Sequence, residues 1–112
     1  MANRIYHICS RTAWGAAQRD GAYRGDTLDA EGFIHCSTRA QVAPTADAFF
    51  SGQGGLVLLE IDPMQLSAEL VYEEPAGVGQ DFPHVYGALN LDAVVAVFDF
   101  PPGPDGTFVF PK

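Results

Sequence analysis

Positive charge is scarce in this chain. Its 112 residues carry six lysines and arginines against fourteen aspartates and glutamates, a net charge of −8. Proteins that hold nucleic acid draw most of their affinity from cationic contacts to phosphate, so no nucleic-acid partner is expected. Cysteine is equally sparse. Cys9 and Cys36 cannot build the disulfide framework of a small secreted domain, and they are expected as reduced core thiols in the cytoplasm. Long apolar runs are missing too: the longest, at 56–59 and 93–98, fall far short of the ~20 residues that a membrane span needs. The opening Met-Ala-Asn-Arg-Ile-Tyr-His holds no apolar run of signal-peptide length. There is no repeat and no low-complexity tract. What remains is 47% hydrophobic, too apolar for a disordered chain, and reads as a single domain over residues 1–112.

The few cations are not evenly spread. Arg4, Arg11, Arg19, Arg24 and Arg39 give the first forty residues a net charge of +1, whereas residues 41–112 carry −9. An anionic ligand is therefore steered toward the surface that the first third builds.

Hydrophobic periodicity places the elements. Residues 4–9 alternate, with Ile5, His7 and Cys9 on one face, and read as a strand. Ser10 or Thr12 caps a helix that Gly21 ends, and a polar loop with one helical turn follows over 22–31. A short strand is expected at 32–36. Thr38 and Gln41 have capping-box spacing before a helical stripe of Val42, Ala46, Phe49 and Phe50, interrupted by Pro44, which should bend the helix. Strands are expected at 56–62 and 69–74, separated by Pro63 and a helical turn over 65–68. After a glycine-containing loop at 75–81 come the segment 82–87, a turn at 90–92 and a strand at 93–100, apolar on both faces like a central strand. A turn at 101–106 leads to a closing edge strand at 107–110. Two main helices near the front and strands behind them indicate an α+β fold.

All three histidines fall in or beside these strands, and each has a polar or sulfur-bearing residue two positions on: Cys9 after His7, Ser37 after His35 and Tyr86 after His84. Period two places each such pair on one face. Histidine is unusual in a buried strand unless its ring nitrogens are satisfied, so three such placements suggest one polar pocket. Three chemistries suit it. Three histidines match a catalytic zinc centre in residue type, but their spacings of 28 and 49 residues carry no metal signature and no metal is expected. Ser37 or Cys36 could act as a nucleophile with a histidine base, though no Gly-x-Ser-x-Gly elbow is present. A nucleotide or sugar-phosphate could sit among histidine and tyrosine, with Arg11 and Arg24 on the phosphates. A pocket whose histidines only satisfy one another, with no catalysis, stands beside these.

The combination Ile-Tyr-His-Ile, Glu-Gly-Phe-Ile-His-Cys-Ser and Phe-Pro-His-Val-Tyr-Gly resembles domain-of-unknown-function family 952, over residues 4 to about 100. Trp14, Tyr23, Gln41, the run at 59–62 and Glu73 also fall where that family's pattern expects them. That family has no established activity. The resemblance implies a fold like that of the ADP-ribosyltransferases, with strongly bent antiparallel sheets around a cleft that binds NAD. It gives His7 the first-strand role of holding a ribose hydroxyl, His35 and Ser37 the middle position, and His84 with Tyr86 the late one. His84 is then a general acid or base, and Tyr86 meets the heterocycle. This sequence departs from the pattern in having no glutamate in the late motif; Glu73 is the nearest acid and Glu31 the other candidate. The histidine-rich arrangement is more similar to the RNA 2′-phosphotransferase branch, with a small nucleotide-like ligand expected in place of RNA.

Overall fold

The computed structural model describes residues 3–25, 27–75, 77 and 79–111. Strand β1 (Ile5–Ser10) runs directly into helix α1 (Arg11–Asp20) because the Ser10 side chain, on extended backbone, accepts the Ala13 N–H at 3.0 Å. Gly21 closes the helix in the left-handed region at φ +88°, its N–H donating to the Ala17 carbonyl at 2.9 Å. Short β2 (Ala22–Tyr23) and α2 (Thr27–Glu31) fill the expected loop, in which Asp26 lies outside the described residues.

The strand at 32–36 is shorter than expected, and a second short strand in another sheet follows it. Only β3 (Ile34–His35) forms within it, and β4 (Ser37–Thr38) begins a different sheet just beyond Cys36. Buried Cys36 makes the crossing and donates its N–H to the Pro83 carbonyl at 3.0 Å. Helix α3 (Arg39–Phe49) follows, with the Gln41 side chain accepting the Thr38 N–H at 2.9 Å and Pro44 inside the helix. Val42 and Ala46 are buried as the stripe predicts, but Phe49, in the last turn, is 78% exposed.

Strand β5 (Leu56–Ile61) is, with β1, one of the two inner strands of the larger sheet, whose order is β4-β1-β5-β9. All of its side chains except that of Glu60 are buried: Val57, Leu59 and Ile61 in one core, Leu56 and Leu58 in another beneath α3. The centrality expected for 93–100 belongs to β5 instead. Strand β9 (Val94–Asp99) is an edge, with Val95 and Val97 exposed, and its pairing with β5 is irregular at Glu60 and Ile61. An apolar run reads alike at an edge and a centre; strand pairing separates them.

A three-stranded sheet, β3-β7-β6, is built from β6 (Glu69–Glu73) and β7 (Phe82–Tyr86), and β2 pairs with β8 (Leu89–Asn90). The helical turn expected at 65–68 falls at Pro63–Gln65, set by Asp62, whose side chain accepts the Met64 N–H. Within the loop at 75–81, Ala76 and Val78 lie outside the described residues. The expected strand at 107–110 is absent among the described residues. The Phe108 N–H goes to the Asp47 carboxylate on α3 at 2.8 Å, its ring stacks on Phe100, and Phe110 meets the Tyr6 ring edge-on. The segment thus seals the second core with side chains rather than a ladder. No helix among the described residues is long and apolar enough to cross a membrane.

The end of β7 is tightly packed. A Cβ at Gly87 would stand 2.8 Å from the Ala68 Cβ, closer than two carbons pack. Gly87→Ala is expected to destabilise the protein by roughly 1–3 kcal/mol. Adding Ala68→Gly should recover part of the loss in urea unfolding.

Candidate functional site

His7 lies on β1 opposite Leu59 of β5, half-buried, and both its ring nitrogens are engaged. A carbonyl can only accept, so Nδ1–H donates to the His35 carbonyl at 2.6 Å, and in the neutral ring Nε2 accepts the Tyr23 hydroxyl at 2.7 Å. One imidazole thereby joins β1, β2 and β3. Cys9 and Cys36 lie nearby as free, buried thiols. Burial pushes Cys9 up to about 11 and Cys36 up to about 12, so both stay protonated near neutral pH and neither is an activated nucleophile.

His35 and His84 are directly opposed in the β3–β7 register, with ring centroids 5.1 Å apart and edge-to-face. The three histidines therefore meet: two side by side on neighbouring strands, and His7 held to the backbone of one of them. His84 is 2% exposed, and Phe33 stacks on its ring at 4.1 Å. Its Nδ1–H donates to Glu73 Oε2 at 2.7 Å, and the same oxygen accepts the Tyr86 hydroxyl in a short contact. His84 Nε2 is buried without a hydrogen-bond partner among the described residues. His35, half-exposed, donates Nε2–H to Glu31 Oε1 at 3.1 Å. The two acids that the sequence offered thus stand each behind one histidine.

The Tyr86 hydroxyl and the His84 N–H hold the Glu73 carboxyl below the usual carboxylate range, and Glu73 in turn raises the Tyr86 phenol. The lowered Glu73 contributes stability that is present above the ordinary carboxylate value, about 4.3, and is lost as pH falls through its folded value. The raised Tyr86 contributes stability that is present below about 10 and is lost at higher pH as the phenol ionises. Unfolding of Glu73→Gln and Tyr86→Phe compared with the parent across pH should show the Glu73 difference closing in acid. The Tyr86 difference should close in alkali.

A cleft of about 580 Å³ opens beside this cluster. His7, Tyr23, His35 and Ser37 give it a polar wall, and Ile8, Leu56, Phe50 and Phe82 an apolar one. His84, Glu73 and Tyr86 do not line it; they stand behind His35 on the β3-β7-β6 sheet. The two arginines assigned to phosphate are outside it as well. Arg11 pairs with Asp99 at 2.5 Å and Arg24 with Asp29 at 2.6 Å, all four side chains exposed. Arg24 borders a smaller hollow of about 330 Å³ that shares Ala13, Tyr23 and Gly25 with the cleft. Among the described residues no group of three or more histidines, cysteines or acids is arranged to hold a metal ion.

Sequence reasoning undervalued two residues. Tyr23 fixes His7, and Phe33 covers His84. Phe33 was within reach of the sequence, since period two puts it on the face of His35.

The family model described as "Protein of unknown function (DUF952)" matches residues 8–97. The chain belongs to that family. This DUF952 chain is similar to protein CC0527 from Caulobacter crescentus. The crystal structure of CC0527 is 38% identical, has a TM-score of 0.86 and aligns over 96% of this chain and 94% of that one. A double mutant of CC0527 gives 37% identity and the same TM-score, with 96% and 94% covered. The solution structure gives 39% identity and a TM-score of 0.81 over 93% and 90% of the two chains. Among curated proteins, none matches this DUF952 chain.

Proposed function

We propose that this DUF952 protein binds NAD or an ADP-ribose-type nucleotide in the histidine-lined cleft. The observation that carries the reading is the clasp of His7, Tyr23 and the His35 backbone on the wall of a cleft of about 580 Å³. That volume and the pairing of an apolar wall with a few convergent polar groups are typical of small-molecule sites. In this reading His7 orients Tyr23, and the Tyr23, Ser37 and His35 side chains meet the ribose hydroxyls. Phe82 offers a face to a ring, and Arg24 in the adjoining hollow is the cation nearest the phosphates. Two buried free thiols fit a reducing, cytoplasmic setting.

Group transfer is the extension that the ADP-ribosyltransferase resemblance suggests. Its acid–base group would be His84, and its carboxylate, needed against positive charge developing at the ribose, would be Glu73. A second reading has its own support: His84 is fully packed and tied to Glu73 and Tyr86, as a structural histidine would be.

Titration calorimetry with NAD, ADP-ribose and adenosine tests the binding. Dissociation constants between micromolar and millimolar are expected for NAD and ADP-ribose, weakened about tenfold or more by His35→Ala. Heats absent for all three ligands at millimolar concentration would retire the proposal.

A further inference from the structure

We infer that the His35–His84 pair is an acceptor site for a cationic, planar group bearing N–H donors, of the amidinium or guanidinium class. The tautomers come first. His35 spends Nε2–H on Glu31 and His84 spends Nδ1–H on Glu73, so each neutral ring is left with a lone pair on its other nitrogen. The rings are opposed across two strands and touch edge to face, 5.1 Å between centroids. His84 Nε2 is buried with no hydrogen-bond partner among the described residues, and a buried acceptor in that condition calls for a donor from elsewhere.

Charge selects the kind of donor. Glu31 and Glu73 stand directly behind the two rings, and Glu69 is near enough to act on Tyr86 through space. No lysine or arginine is among the described residues that line the adjoining cleft. An anion at the pair would meet three carboxylates, whereas a cation gains from each of them. Tyr86 adds a ring on the same side of the sheet, which favours a flat cation over a compact one. Phe33, half-buried, stacks on the face of the His84 ring and must turn aside for a flat ligand to lie against that ring. The cation site adjoins the proposed nucleotide cleft through His35, which belongs to both, and goes beyond that reading as a separate subsite.

Benzamidinium, benzyl alcohol and benzoate share one ring and differ in charge and donors. The protein with labelled histidine rings is titrated with each, and the His7, His35 and His84 signals are followed. Benzamidinium should move His35 and His84 together and bind at least tenfold more tightly than benzyl alcohol, with benzoate moving neither. Glu31→Gln, at the exposed end of α2, should weaken benzamidinium severalfold, and Phe33→Ala should strengthen it. Benzoate or benzyl alcohol binding as well as benzamidinium overturns the inference, as does a His84 signal that benzamidinium leaves unmoved in both the parent and Phe33→Ala. If NAD moves His7 and His35 while benzamidinium moves nothing, this inference fails and the cleft reading stands. If benzamidinium binds and NAD moves nothing, the nucleotide reading fails and the cation site stands.

Discussion

Replacing His84 with alanine is expected to lower the free energy of unfolding by about 3 kcal/mol. The ring is 2% exposed, carries the stacked Phe33 and lies against His35, so its removal leaves a space that strand backbones cannot close. The same truncation at His35, which is exposed, should cost less than about 0.5 kcal/mol. His84→Phe separates the two contributions. It restores the ring and deletes both nitrogens, so it should recover much of the packing while Glu73 loses its donor. Urea unfolding measures all three. Equal effects at His84 and His35 would mean that the buried ring is not part of the packing.

An effect of similar or larger size is expected from Leu59→Ala, about 3–5 kcal/mol. Leu59 is fully buried on an inner strand of the larger sheet, flanked by His7 on β1 and Val97 on β9. Strands on both sides fix the backbone, so the cavity stays open and the upper part of the known range for such truncations applies. The partner position gives the substitution a second consequence: loosened packing at Leu59 should free His7 from Tyr23 and the His35 carbonyl, and ligand binding should fall together with stability. Val97→Ala, at the exposed edge, provides the contrast with a loss below about 1 kcal/mol.

The same two strands show how far the sequence could be read. Period two and the Ser10 cap locate β1 and α1, and Gly21 closes the helix, because each of these signals acts over a few neighbouring residues. The centrality of β5 over β9 depends on which strands flank each, and no local pattern of apolar residues encodes that. The change of sheet at Cys36, between β3 and β4, escapes for a related reason: a sheet change within three residues leaves hydropathy unchanged. Likewise, Thr107 to Phe110 alternates like a strand, yet Asp47 takes the Phe108 N–H that a ladder would use.

The candidate site divides in the same way. Three strand histidines with polar companions suggested one pocket, and β3–β7 pairing brings His35 and His84 into contact. Glu73 could be named as an acid but not placed, since its position against His84 follows from the β6–β7 register across a loop. Arg11 and Arg24 looked suitable by charge alone; Asp99 and Asp29, distant by 88 and 5 residues, occupy them instead. The net +1 of the first forty residues therefore does not translate into cations on the cleft wall.

The central claim, a ligand cleft built on His7 and His35, is tested most directly by following the imidazole signals of the three histidines as NAD is added. Saturable shifts of His7 and His35 sharing one dissociation constant are expected, with Tyr23→Phe weakening both. Resonances of all three histidines that stay unmoved to millimolar NAD would contradict it.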